Sequence, residues 1–263
     1  MKQLIKIAVV ILLFCAPVSC MAWGKIGHRI VGAIAETYLT PKAKLAVRQI
    51  LGNESIAISS NWPDFIRSDS SYEYLTPWHY IDLPDSLNYQ QMKNYLQSDT
   101  AVDAYTKLNF LIKELKKHTL SKEQKVMYLR LLIHIVGDIH QPMHVSRAED
   151  LGGNKIKVMW FKDATNLHAV WDEKLIQFQE LSYTEYTQMI NHTTPAQVSY
   201  WQKEPMEQWF YESHEIALSL YNEIKQPDQK LGYRYNYDHI DTLNQQLLKG
   251  GVRLAGILNE IFG

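Results

Sequence analysis

The sequence predicts an all-α fold, a single mostly helical domain, and three observations predict it. Apolar residues recur at helical spacing through most of the chain. Polar caps and prolines punctuate those runs. No internal repeat and no linker rich in Gly, Pro or Ser divides the 263 residues. A balance of 46% hydrophobic and 21% charged residues is globular, which excludes wholesale disorder and collagen-like fibre. The chain has no apolar run long enough for a multi-pass membrane protein. A formal charge of −1 argues against holding a polyanion through a blanket of Lys and Arg, so any positive charge offered to phosphate must be local or bound.

The elements follow in chain order. Residues 1–22 read as a secretory signal. Lys2 and Lys6 flank a positive start, residues 7–14 are apolar but too few to span a bilayer, and Cys20-Met21-Ala22 is a small-x-small cleavage pattern. A lipoprotein reading would lipidate Cys20, but Pro17 stands where Leu is usual. Cleavage after Ala22 removes two Lys and no acid. It leaves 241 residues, 23–263, with 25 basic and 28 acidic side chains. Cys15 and Cys20 leave with the signal, so the exported chain has no disulfide and relies on its core. Its new first residue is Trp23, whose free amine becomes a candidate ligand.

Residues 27–38 are mostly apolar with Ala and predict a helix. Thr40-Pro41 supplies a cap with Pro at the first helical position, and Gly52 supplies the stop. Val102, Tyr105, Leu108, Leu111, Ile112 and Leu115 predict a helix over 99–117. Ser121-Lys122-Glu123-Gln124 is a capping box. It opens the most hydrophobic helix, over 124–140, which Pro142 ends. Being apolar nearly all round, that helix belongs in the middle of the bundle. Gly152-Gly153-Asn154, followed by alternating Ile156, Val158 and Trp160, predicts a small hairpin or extended loop near 152–161. Thr194-Pro195, residues 205–225 and residues 238–261 are again helical in pattern.

The chemistry lies in the histidines and aspartates. His134 and Asp138 are four apart and share one helical face, and His144 follows just past Pro142. His168 and Asp172 repeat the spacing in Asn166-Leu167-His168-Ala169-Val170-Trp171-Asp172. Upstream stand Trp23 with His28, Asp64 after Trp62-Pro63, and His79 in Trp78-His79-Tyr80. Imidazole and carboxylate suit Zn²⁺. A buried, unpaired carboxylate is very unfavourable, and a metal would compensate it. His134 with Asp138 alone reads equally as a hydrogen-bonded core pair. Two such pairs plus His144 in a cysteine-free chain favour metal. His118, His192, His214 and His239 read as core or surface residues, and His140, two past Asp138, as structural.

These strings resemble the zinc-dependent single-strand-specific nucleases, the fungal secreted enzymes with plant and bacterial relatives. The resemblance rests on the N-terminal Trp with His five residues on, Trp-x-Asp, Trp-His-Tyr, His-x-x-x-Asp-x-His-Gln-Pro-x-His, Gly-Gly-Asn and Asn-Leu-His-x-x-Trp-Asp. It implies the helical fold shared by zinc phospholipase C and these nucleases, with three Zn²⁺ per chain. One zinc would take Asp64, His79, His134 and Asp138. A second would take His144, His168 and Asp172. The third would take the Trp23 amine and carbonyl, His28 and the other oxygen of Asp138.

The resemblance further implies hydrolysis of single-stranded RNA or DNA and of 3′-nucleotides. Zinc-bound hydroxide would attack phosphorus and leave 5′-phosphate products. Arg67 would contact the phosphoryl oxygens. Asp82 would orient the attacking water or contact the base. Tyr80 would stack on a base, and Asn154 would sit near phosphate or base. Trp62, Trp78 and Trp171 would wall the site. The expected protein is a secreted or periplasmic monomer with no stable membrane association. Two alternatives stand beside this reading. A zinc phospholipase C would place its first His much further from the N-terminal Trp and end its ligand set with Glu. A non-catalytic zinc-binding protein would have no use for Arg67 and Asp82.

Overall fold

Short polar side chains start most of the helices. Asn88, Asp103, Ser121, Ser182 and Thr194 each accept a hydrogen bond from a backbone N–H of the first turn, and the residue three further on returns the contact. The computed structural model describes residues 23–263. The expected signal segment, with Cys15 and Cys20, lies outside the described residues. The first seven helices are α1 (Lys25–Thr37), α2 (Pro41–Leu51), α3 (Ile56–Ser59), α4 (Trp62–Ile66), α5 (Tyr89–Ser98), α6 (Ala104–Leu115) and α7 (Lys122–Asp138). The remainder are α8 (Leu167–Ala169), α9 (Leu175–Gln177), α10 (Tyr183–Ile190), α11 (Pro195–Lys203), α12 (Met206–Glu223) and α13 (Tyr233–Phe262). The fold is a single mostly helical domain, as expected.

Strand content is minor. Strands β1 (Ile81–Asp82) and β2 (Val145–Ser146) pair in parallel. Strands β3 (Lys157–Trp160) and β4 (Asp163–Asn166) form the expected hairpin. Strand β5 (Gln229–Leu231) joins β3 in parallel, a pairing between distant segments that local patterning does not reveal.

Several boundaries differ from the sequence reading. The helix expected over 99–117 begins only at Ala104, because Asp103 caps it, and Val102 is 52% exposed. Helix α7 starts at Lys122 and ends at Asp138, leaving His140 in the turn beyond it. Its burial is continuous only from Leu131, so just its second half lies mid-bundle. Helix α13 begins at Tyr233, five residues before the expected start.

The core gathers around α1, α7 and α13. Ile30, Val31 and Ile34 meet Ile133, Ile135 and Val136 and the buried face Leu247, Val252, Leu254. Each such side chain contributes about 1.5–3 kcal/mol by leaving water. The approach of α1 to α13 depends on Gly251, where a Cβ would stand 2.4 Å from the Ile34 side chain. That packing sets the position of His28 on α1 against Asp138 on α7.

Candidate metal centre

Four segments bring their acids and imidazoles to one place. The buried half of α7 carries His134 and Asp138, both fully buried. Helix α1 carries His28, α4 carries Asp64, and the 3₁₀ segment Ser70–His79 ends at His79. The two oxygens of Asp138 face different partners. Its Oδ1 lies 3.3 Å from His28 Nε2. Its Oδ2 lies 3.0 Å from His79 Nδ1 and 3.2 Å from His134 Nε2. Those two nitrogens are themselves 3.0 Å apart. Ligand atoms around a tetrahedral zinc sit about 3.3 Å from one another, given bonds of about 2.0 Å. The arrangement therefore fits donors drawn round a cation. Asp64 completes this side, its Oδ1 3.9 Å from His134 Nε2.

A second set lies beyond Pro142. The nearby Asn166 side chain caps α8, and a π-helical turn over Val170–Lys174 follows, so His168 and Asp172 project together. His168 Nε2 is 3.0 Å from Asp172 Oδ2, and His144 Nε2 is 3.7 Å from Asp172 Oδ1. Three groupings can thus hold metal: His28, Asp64 and His134; His79, His134 and Asp138; His144, His168 and Asp172. The first two share His134 and form one continuous cage, and the third adjoins it, which accommodates three zinc ions.

Outer contacts fix which nitrogen each imidazole presents. Nδ1 of His134 donates to the Ser60 carbonyl at 2.6 Å, that of His144 to the His79 carbonyl at 2.7 Å, and that of His168 to the Gly152 carbonyl at 2.6 Å. Each Nε2 is thereby turned toward the site, the orientation that metal-binding histidines require. Other buried atoms here have no hydrogen-bond partner within the protein: both His28 nitrogens, both Asp64 oxygens and Asp138 Oδ1. Buried polar atoms are seldom orphaned, and a bound cation is what this donor set satisfies.

The electrostatics also call for positive charge. Burial pushes the Asp138 carboxyl up, but the His134 charge and the close imidazoles of His134, His28 and His79 hold it well below the usual range. Burial lowers His144, yet the Asp172 hydrogen bond and the Asp138 charge lift it to about 9. Burial keeps His28 and His79 below the ordinary imidazole value, hence neutral.

A cavity of about 150 Å³ opens beside His168. Tyr80, Asp82 and Asn154 line it, together with Thr76, Met143 and Gly152. Burial pushes the Asp82 carboxyl up, helped by the charges of Glu149 and Asp150. Arg67 sits at the end of α4, its Nη1 3.7 Å from Asp64 Oδ1. Eight of the nine expected ligand residues, all but Trp23, thus fall into the groupings. Trp23 is buried and precedes α1, and the next residue, Gly24, donates its N–H to the Asp172 carbonyl at 2.9 Å.

Some residues take other roles. None of Trp62, Trp78 and Trp171 lines the cavity: Trp62 meets Tyr72, Trp78 meets Tyr74 and Phe110, and Trp171 Nε1 donates to the Tyr235 hydroxyl. His140 is structural, with Nδ1 donating to the Val136 carbonyl and Nε2 accepting from Arg253 at 3.0 Å. His214 and His239 are buried, and His118 and His192 are exposed. Sequence reasoning gave Gln141 no role, yet its Nε2 donates to Asp172 Oδ1 while its Oε1 accepts from the Met143 N–H at 2.5 Å. A lone amide between a ligand helix and Pro142 was the available signal.

Comparison with known proteins agrees with this geometry. The chain is similar to Endonuclease 2 of Arabidopsis thaliana, 31% identical over 278 residues, covering 96% of this chain and 94% of that one. It is similar to Nuclease P1 of Penicillium citrinum, 31% identical over 271 residues, covering 92% of this chain and 98% of that one. Endonuclease 3 of Arabidopsis thaliana is 30% identical over 270 residues, with 93% and 90% covered. The family model described as S1/P1 Nuclease matches residues 23–263, and the phospholipase C alternative falls with that match. The chain belongs to the S1/P1 nuclease family.

Proposed function

We propose that this chain is a zinc-dependent phosphodiesterase that hydrolyses single-stranded RNA and DNA to 5′-phosphorylated products and also acts on 3′-nucleotides. The observation that carries this reading is the two-sided use of Asp138, with one oxygen toward His28 and the other toward His79 and His134. Asp64, His79, His134 and Asp138 would hold one zinc, and His144, His168 and Asp172 a second. His28, Asp138 and the amine and carbonyl of Trp23 would hold the third. Bound zinc supplies charge for the phosphoryl oxygens and a nucleophile available near neutral pH.

The chain's own residues do the rest. Arg67 offers a planar fork of donors to the phosphate and steadies charge that develops there. Tyr80 presents a ring on which any base can stack, worth about 1–3 kcal/mol, and only an unstacked base can use it. That requirement selects single strands. Asp82, held in a partly desolvated wall beside acidic neighbours, accepts a hydrogen bond from the base or the attacking water. Asn154, anchored through Nδ2 to the Leu151 carbonyl, presents its amide oxygen to the same cavity.

Export fits the same site: cleavage after Ala22 would free the Trp23 amine for the third zinc. No described helix is long and apolar enough to cross a membrane. The protein acts as a monomer, since every group assigned here comes from one chain. The test is metal analysis of the purified protein, then assays on single-stranded DNA, RNA, 3′-nucleotides and phosphatidylcholine vesicles with and without chelator. About three zincs, chelator-sensitive hydrolysis and 5′-phosphate ends are expected. Zinc-loaded protein that leaves all nucleic acids intact would overturn the proposal.

A further inference from the structure

The 3₁₀ segment Ser70–His79 does more than deliver His79. Three residues make one turn of such a helix, so residues three apart stack in rows. Tyr72, Leu75 and Trp78 form the row that packs inward. Thr76 and His79 form the row toward the site, Thr76 on the cavity and His79 in the cage. Tyr74 and Pro77 form the third row, which leads along the segment toward Tyr80 at its end.

Tyr74 is a large ring left 53% exposed on that row. It is also held in place. Tyr72 stacks beside it with 6.4 Å between centroids, and Trp78 meets it edge-on at 6.1 Å. Trp62 backs Tyr72 at 5.8 Å. A cation borders the strip, Lys107 at 5.0 Å from the Trp78 ring centre, while Arg130, 5.4 Å from that of Trp62, is paired with Glu54. In a chain with no overall positive charge, rings and cations side by side are the combination that tracks a single strand. Six residues at about 2.0 Å each put Tyr74 roughly 12 Å along the segment from Tyr80.

We propose that Tyr74 is a second stacking platform, which holds a base of the single strand next to the one placed on Tyr80. This rests on the nuclease reading and adds to it: the enzyme grips an extended strand outside the metal centre, so polymers are engaged more tightly than mononucleotides. The ring carries the contact, and the hydroxyl is dispensable.

The test compares zinc-loaded wild type, Tyr74→Ala and Tyr74→Phe on a long oligothymidylate and on a 3′-mononucleotide too short to reach Tyr74. In Tyr74→Ala the ratio of kcat/KM on the oligomer to that on the mononucleotide falls about 5- to 100-fold, mostly through KM, the range expected for one lost stack. Tyr74→Phe keeps the wild-type ratio. The slope of log KM against log salt stays as in wild type, because no phosphate contact is lost. Thermal melting checks that both variants are folded. An unchanged ratio in Tyr74→Ala, or equal losses on both substrates, overturns the platform while leaving the nuclease intact. Wild type inactive on both substrates overturns the nuclease reading and the platform with it.

Discussion

Replacing Asp138 by Asn separates a shared zinc cage from a hydrogen-bonded core cluster. The amide keeps the shape of the carboxylate and removes its charge. Two sites depend on that charge, one through the oxygen 3.3 Å from His28 and one through the oxygen 3.0 Å from His79 and 3.2 Å from His134. The third site keeps its own anion, Asp172. Its closest atom to Asp138 is His144 Nδ1 at 4.0 Å, which is turned to the His79 carbonyl. Zinc content is therefore expected to fall from about three to about one per chain in Asp138→Asn, and to about two in Asp172→Asn. Activity on single-stranded DNA falls about 1000-fold or more in the first variant, beyond the 10–100-fold typical of an outer-shell loss. Each ion present at a hundred times its Kd stabilises by about 2.7 kcal/mol, so losing two costs about 5 kcal/mol. At about 2–4 °C per kcal/mol, Tm drops by roughly 10–20 °C. Metal analysis, a nuclease assay and calorimetry read the three effects. Asp138→Asn protein that keeps three zincs, or keeps wild-type activity, refutes the bridging carboxylate.

Three further outcomes are expected. Arg253→Met leaves the Glu204 and Glu212 carboxylates, now 2.7 and 2.8 Å from the guanidinium, without their buried partner. It should cost about 3–5 kcal/mol, seen in urea melts. Gly152→Ala forces a Cβ to 2.4 Å from the Met143 carbonyl at a φ of +59°, which costs at least about 1–2 kcal/mol. Because the Gly152 carbonyl also accepts from His168, zinc analysis of this variant should show loss from the His168 set first. Asp103 is raised to about 7 by burial and its contact with Asp99, above an ordinary carboxylate. Its contribution is full below about pH 4 and is lost as pH rises through 7. Asp103→Asn, which preserves the cap, should therefore raise Tm relative to wild type at pH 8 and not at pH 4; a constant difference across that range would contradict the shift.

The pairs His134/Asp138 and His168/Asp172 are legible because i, i+4 spacing is local, whereas the ligand roles of Trp23, Asp64 and His79 enter only through the family resemblance. The helical class was equally legible, since caps such as Ser121 with Gln124 act within four residues. Other features depend on distant partners. The pairing of β5 with β3 joins residues 229–231 to 158–160, which no local pattern announces. Gln141 looked like spacer until Asp172, thirty-one residues on, came beside it. The tryptophans were expected at the site because of their neighbours in sequence, but their size drew them into aromatic packing instead.

The turn after α7 is clamped by three side chains from α12 and α13. Ser213 donates to the Ile139 carbonyl at 2.6 Å, Gln246 to the His140 carbonyl at 3.0 Å, and Arg253 to the His140 ring. Synthesis runs toward Gly263, so the residues of the three metal groupings emerge before the clamp that steadies Asp138 and His144 exists. A protease that trimmed the tail would therefore unbrace a centre to which the tail contributes none of the grouped residues.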